Sequence, residues 1–363
     1  MRIFFIFTSM KHAVKKWFVN FKKYLFFYKD GFFELPFLAN SPEMIVESFS
    51  KMPFVKNFPD QRSFITNNLF LTGEGHYQQI EDGLWIIISS IKLKKDVSFK
   101  LYYDETYPAD YHYLTLYVNC GQKEIKLPRL HFNKEFQDRA WTLYKKRTKC
   151  LNTHFAGQHS IYFTIYFSQK WLETNLTSDG LFKHEKLVSF FNSSDDYLYL
   201  PNFLERKKKL YQSIIDSIIY KEKSKNLLEL KSMTYELISS FVETLDSIDL
   251  MSIPANVTER DKRYVQKAQH LIEQAIFDSF PSINELAKKI GISETKLKAD
   301  FKAINGVSMY KYYLNKQMLY AQDLLVDKRL LVKEVANTLG YSSASKFSQA
   351  FKNHLGYLPS EVL

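Results

Sequence analysis

Near the C-terminus, two short runs place hydrogen-bonding side chains where a helix would turn them outward. In the first, Leu297 and Phe301 stand four residues apart and face inward together, which leaves Thr295, Lys296, Lys298 and Ala299 looking out. In the second, Phe347 and Phe351 repeat that spacing, with Ser345, Lys346 and Gln349 around them. The chemistry open to such sets is narrow. A lysine ammonium donates to O6 and N7 of guanine, a glutamine amide bonds adenine at two points, and small apolar groups meet the thymine methyl. Lys302, Lys316 and Lys352, with helix N-termini at Ser293 and Ser342, suit phosphate oxygens instead. Any one of these lysines is as readily a solvated surface charge, so the weight falls on the elements that hold them.

Those elements repeat at a spacing of about fifty residues. Ile283-Asn284-Glu285-Leu286-Ala287-Lys288-Lys289-Ile290-Gly291-Ile292-Ser293 is echoed by Val332-Lys333-Glu334-Val335-Ala336-Asn337-Thr338-Leu339-Gly340-Tyr341-Ser342. After one inserted residue, Leu297 matches Phe347, Phe301-Lys302 matches Phe351-Lys352, and Gly306 matches Gly356. Each copy has one physical plan. A helix buries its Leu/Ala/Ile face, glycine permits the positive φ that stops it, and a serine caps a second helix with two apolar anchors. Ala287 and Ala336 let the paired helices approach at the sharp angle of a helix-turn-helix. A long amphipathic helix from about Tyr310 to Val326 holds the units apart. That spacing suits two second helices in successive major grooves, roughly one DNA turn apart.

From about Asp261 to Leu363, closing on Phe351-Lys352, Gly356 and Pro359, the chain resembles the DNA-binding domain of the AraC/XylS transcription regulators. The resemblance implies base-reading slots at Thr295, Lys298 and Ala299 in the first unit and at Ser345, Lys346 and Gln349 in the second, with Lys298 and Gln349 matched. Lys296 joins Lys302, Lys316, Lys352, Ser293 and Ser342 on the phosphate side. Double-stranded promoter DNA is the implied partner, with RNA polymerase beside it, in the cytoplasm. Two departures stand out. The central helix has Gln317-Met318 and Ala321 where the family usually has an arginine before the apolar residue, which should weaken a backbone or packing contact. The chain also ends at Leu363 without the aromatic-basic ending common after that proline. The segment Leu227 to Leu245 is similar, less specifically, to the helices preceding the DNA domain in the siderophore-responsive branch.

The rest of the chain has a different texture. Its 363 residues exceed one ordinary core, and a net charge of +11 favours an anionic partner without choosing nucleic acid over membrane. The expected class is α+β: a β-rich, barrel-like sensor domain, a helical connector and an all-α domain with two helix-turn-helix units. Four regions are expected: a basic and aromatic extension (1–45), the β-rich domain (46–175), the connector (176–255) and the DNA-binding domain (256–363). The extension carries Trp17, Phe18, Phe21 and Tyr24 among lysines without one apolar face, which disfavours a membrane-surface helix. Its opening apolar run is too short for a signal peptide or a span, so no export and no membrane partner are expected.

In the β-rich region Leu84–Ile88, Phe99–Tyr103, Tyr113–Val118 and Ser160–Phe167 read as strands. Turns are expected at Gly73-Glu74-Gly75, Asp82-Gly83, Pro108 and Asn119-Cys120-Gly121. Tyr102, Tyr103, Tyr107, Tyr111, Tyr113 and Tyr117 suit either an aromatic-lined pocket or a barrel core with outward tyrosines. By the family resemblance, this domain would sense a small-molecule effector, form a homodimer, or both. The apolar stripe between about 205 and 250 wants a partner surface, in another copy or in its own chain.

Catalytic and metal chemistry find little footing. His76, His112, His131, His154 and His159 are scattered without paired ligand spacing, and Cys120 and Cys150 make no metal-ligand pair or disulfide framework. No cofactor is therefore expected. The alternative from another class, an alkyl-transfer repair enzyme carrying such a DNA module, needs an activated cysteine nucleophile. Neither Cys120 beside Gly121 nor Cys150 beside Lys149 has a convincing activating setting.

Overall fold

The computed structural model describes residues 15, 28–29, 31–52, 54–127, 130–148, 151–175, 184–193, 195–201, 208–219, 226–245, 258–328 and 330–362. The side chains of 118–140 lie outside the description, and with them Cys120 and His131; so do Cys150, most of the N-terminal extension and the linker at 252–256. The chain divides into two compact units: residues 1–120 with 138–252, and residues 121–137 with 253–363.

Unit one holds two sheets, apart from those residues of the larger one that fall within 121–137. Four strands pair in the order β1 (Tyr28–Lys29), β2 (Phe32–Leu38), β7 (Val97–Tyr102), β10 (Leu151–His154), with β2 and β7 parallel. Eight strands form the larger sheet: β12 (Tyr197–Pro201), β9 (Leu130–Tyr144), β8 (Tyr111–Leu127), β11 (His159–Ser168), β6 (Leu84–Leu93), β5 (Leu71–Glu81), β4 (Ser63–Asn67) and β3 (Val55–Phe58). Its order runs from β12 to β3 without the ends meeting, so the expected barrel is open, while the α+β class stands. Three of the four expected runs lie wholly in β6, β8 and β11, and the fourth, Phe99–Tyr103, runs one residue past the end of β7.

Two expected turns do not form. Gly73 and Gly75 lie inside β5, where a Cβ on Gly75 would come within 2.1 Å of the Phe64 ring. Close approach to β4, not a change of direction, is what calls for glycine there. Asn119-Cys120-Gly121 likewise lies within the long strand β8. The strand β2 falls inside the stretch set apart above as an extension.

One face of the larger sheet carries Ile86, Ile88, Leu114, Leu116, Phe163 and Ile165, all at most 1% exposed. Helices α1 (Pro42–Ser50), α2 (Gln169–Asn175) and α3 (Glu185–Asn192) flank the strands, and α4 (Lys208–Ile219) and α5 (Leu227–Thr244) follow. Tyr211, Ile214 and Ile218 of α4 and Leu237, Ile238 and Phe241 of α5 join the sheet's cluster. The apolar stripe between about 205 and 250 thus packs on its own chain, leaving Leu227 and Leu228 exposed at the start of α5. Glu81 of β5 anchors that packing: it accepts hydrogen bonds from Trp171 Nε1 at 2.7 Å and Tyr235 Oη at 2.5 Å, and pairs with Lys231.

The opposite face alternates aromatic and hydroxyl ranks. Tyr113 stacks on Tyr144 at 4.7 Å and leans on Tyr166 at 5.6 Å, and the next rank joins Thr115 to Thr164 at 3.1 Å. Beyond it, Tyr162 bonds the buried His154 of β10 at 2.5 Å. Burial holds His154 down at about 3 and His112 at about 4, so both rings are neutral near pH 7.

Candidate nucleic-acid interface

The second unit's helices follow their caps closely. Helix α6 (Glu259–Gln274) opens on a reciprocal capping box between Thr258 and Asp261 and buries Val265, Ala268 and Ile272. Helix α7 (Ile283–Ile290) opens on a second box between Ser282 and Glu285. It ends at Gly291, whose φ of 86° lies in the left-handed region that β-carbon-bearing residues avoid. Two residues later Ser293 caps α8 (Glu294–Asn305), accepting from the Lys296 amide at 3.3 Å. Leu297 and Phe301 are fully buried against Leu286, Ala287 and Ile290 of α7 and against α6. That burial fixes which face of α8 is left for a partner.

Helix α9 (Met309–Lys328) leads to the second pair, α10 (Val332–Thr338) and α11 (Ala344–Leu355). Phe347 and Phe351 are fully buried beside Val335, Ala336 and the α9 residues Met318, Ala321 and Leu324. The cap of α11 is Ser343, which accepts from the Lys346 amide at 3.2 Å. Ser342, expected to cap, is an exposed residue one position earlier, so the inserted residue is absorbed in the turn before the helix.

Alignment of the caps sets the register. Ser293 corresponds to Ser343, Thr295 to Ser345, Lys296 to Lys346, Lys298 to Ser348, Ala299 to Gln349 and Lys302 to Lys352. The expected match of Lys298 with Gln349 is therefore one position out, and Lys346 is the counterpart of Lys296. Sequence reasoning passed over Ser348, which counting from the capping serines would have found.

Thr295, Lys298, Ala299, Ser345, Lys346 and Gln349 are all exposed. Lys298 lies 3.7 Å from Glu294, and Gln349 donates to Asn353 at 2.9 Å. Of the residues assigned to phosphate, Lys302, Lys352 and Ser293 are exposed on the same helices. Lys316, assigned to phosphate, is 8% exposed, with its ammonium 5.3 Å over the Tyr312 ring. Lys296 is exposed, but its ammonium sits 2.7 Å from Asp261 and 2.8 Å from Asp300.

The central helix supplies the link between the two halves. Gln317 is 3% exposed and donates to the carbonyls of Ile276 at 3.0 Å and Leu339 at 3.4 Å, while accepting from Tyr341 Oη at 3.3 Å. A backbone contact is thus made, not weakened, by the residue that stands in place of the family's arginine.

Residues 286–363 match the family model described as a helix-turn-helix domain. Among curated relatives, the Msm operon regulatory protein of Streptococcus mutans is 27% identical over 203 residues, 55% of this chain and 66% of that protein. The HTH-type transcriptional regulator ExsA of Pseudomonas aeruginosa is 26% identical over 125 residues, 34% of this chain and 44% of its own length. An uncharacterized HTH-type transcriptional regulator of Escherichia coli, YidL, is 38% identical over 82 residues, 23% of this chain and 28% of that protein. The chain thus spans less than two thirds of the length of each. Residues 286–363 thus match a helix-turn-helix domain, and the proteins the chain resembles there are named as transcription regulators.

Proposed function

We propose that the chain is a sequence-specific, DNA-binding transcription regulator that sets α8 and α11 in successive major grooves of promoter DNA. One observation carries the reading. Two helix-turn-helix units each bury the Leu/Phe or Phe/Phe anchors of their second helix and leave its polar N-terminal face exposed. Thr295, Lys298 and Ala299 on α8, and Ser345 and Gln349 on α11, are then the base-facing set, with Lys302, Lys346 and Lys352 toward phosphate. The β-rich unit and its helices take the role of a regulatory domain, bound by a small-molecule effector or a partner, with RNA polymerase contacted at the promoter. Residues 256–363 form the DNA-binding region, and the protein works in the cytoplasm without enzymatic activity. The similarity of Leu227–Leu245 to the siderophore-responsive branch makes ferric chelates the first effectors to screen by thermal shift.

Fluorescence anisotropy of the full chain against a pool of promoter-length genomic duplexes tests the core reading. Binding should weaken steeply with salt, because each lysine–phosphate contact releases counterions. Absence of binding at low salt would overturn it.

A further inference from the structure

The two second helices carry the same lysine in opposite settings. Lys296 and Lys346 are each the third residue of their helix, and each backbone amide bonds its capping serine. Lys296 is held by two carboxylates, Asp261 Oδ1 at 2.7 Å and Asp300 Oδ2 at 2.8 Å. Lys346 has no ion pair among the described residues, and α11 contains no acidic side chain: Ala344 and Ala350 stand where α8 has Glu294 and Asp300.

Asp261 is the pivot. Its Oδ2 accepts from the Thr258 amide at 3.1 Å and the Thr258 hydroxyl at 2.6 Å, closing the cap of α6, and its Oδ1 is left to hold Lys296. Asp261 is 8% exposed, and the Lys296 ammonium with the Thr258 hydroxyl holds its carboxyl down at about 2. At the far end of α8, Asn305 accepts from Gln269 of α6 at 2.6 Å. Helix α8 is thus tied to α6 at both ends by polar contacts as well as by Leu297 and Phe301.

Resting on the DNA-binding reading above, we propose that Lys296 is a positioning residue that fixes the angle at which α8 meets DNA, and that Lys346, its counterpart, is the residue that grips phosphate. An ammonium already shared by two carboxylates offers an arriving phosphate no net positive charge and faces it with two like charges. Lys346 has no such competitor, so it releases a counterion when it binds. The first helix is then set by the protein, and the second takes the electrostatic contact.

The test uses the full chain and duplexes that the wild type recovers from a random-sequence pool, with affinity followed against sodium chloride. Lys346→Met should lower the salt slope by about one. Lys296→Met should weaken binding roughly tenfold with the wild-type slope, and adding Asp261→Asn to it should cost little more, since the two act as one unit. Lys296→Arg, which keeps a cation within reach of both carboxylates and leaves the Asp261 cap intact, should retain most of the wild-type affinity with the wild-type slope. A folded Lys296→Arg variant as weak as Lys296→Met, or a Lys296→Met variant whose slope falls as far as that of Lys346→Met, overturns the proposal alone. A wild type without salt-dependent binding overturns it together with the DNA-binding reading.

Discussion

Gln317 reaches from the middle of α9 to the carbonyl of Ile276 at 3.0 Å, just beyond the end of α6, and in the other direction toward the carbonyl of Leu339 at the turn of the second unit. Both carbonyls belong to residues at most 5% exposed, so the amide meets them away from bulk water. A buried acceptor stripped of its donor costs about 1–3 kcal/mol. Gln317→Leu keeps the volume and removes the donor, and should lower the stability of the C-terminal unit by that amount in chemical denaturation. A change below about 0.5 kcal/mol, the range of an ordinary surface substitution, would show that this amide does not tie the halves together.

The N-terminal unit has its own acid sensitivity. His154 is buried and neutral, hydrogen-bonded to the Tyr162 hydroxyl, and its folded pKa of about 3 lies below the unfolded value near 6.5. Between those values the unfolded chain binds the extra proton, so stability rises with pH through that window and falls on acidification. At pH 5 the loss from this one ring is about 2 kcal/mol relative to pH 7.5. His112, held at about 4 by burial, works in the same direction. His154→Gln should reduce the difference in unfolding free energy between pH 7.5 and pH 5 by about that amount. An unchanged difference would mean that the ring is not kept neutral by its surroundings.

How much was legible beforehand follows the range of the interactions. The two helix-turn-helix units stood out because each step is local: a glycine where φ must be positive, a serine three residues before the amide it caps, anchors four apart. The cap of α11 was misplaced because Ser342 and Ser343 are chemically identical neighbours, and only backbone geometry separates them. Lys316 and Lys296 read as free lysines because what holds them lies elsewhere: Tyr312 one helical turn away, and Asp261 on another helix altogether. In the N-terminal unit strand positions were readable from alternation, but the order β12-β9-β8-β11-β6-β5-β4-β3 depends on pairings many residues apart. The glycines of β5 were misread for that reason: the ring that excludes a side chain at Gly75 comes from another strand.

That reading of the glycines has a testable side. At Gly291 a methyl group meets nothing within 4 Å, so Gly291→Ala is opposed by backbone conformation alone, about 1–2 kcal/mol. At Gly75 the added carbon would collide with Phe64, itself 6% exposed. Gly75→Ala should therefore destabilise its own unit by more than Gly291→Ala destabilises the other, each followed by hydrogen exchange within its unit. Equal small effects would mean that β4 shifts away from β5 freely.

Recognition can be separated from mere attraction on the exposed helix faces. Lys298 and Gln349 project from α8 and α11, one position out of register with each other, whereas Lys302 and Lys352 follow the buried phenylalanines Phe301 and Phe351 at matched positions. Lys298→Ala and Gln349→Ala should each cost about 1–3 kcal/mol on a selected duplex and relax the preference at one base pair. Ser348, the true counterpart of Lys298, belongs in the same series, with a smaller effect from its single hydroxyl. Lys302→Ala and Lys352→Ala should weaken selected and scrambled duplexes alike and lower the salt slope by at most about one unit. Competition between the two duplexes distinguishes the classes. If Lys298→Ala and Lys302→Ala weaken both duplexes equally, α8 docks without reading bases. If neither matters while the α11 variants do, the first unit does not contact DNA, and the model of two helices in successive grooves fails.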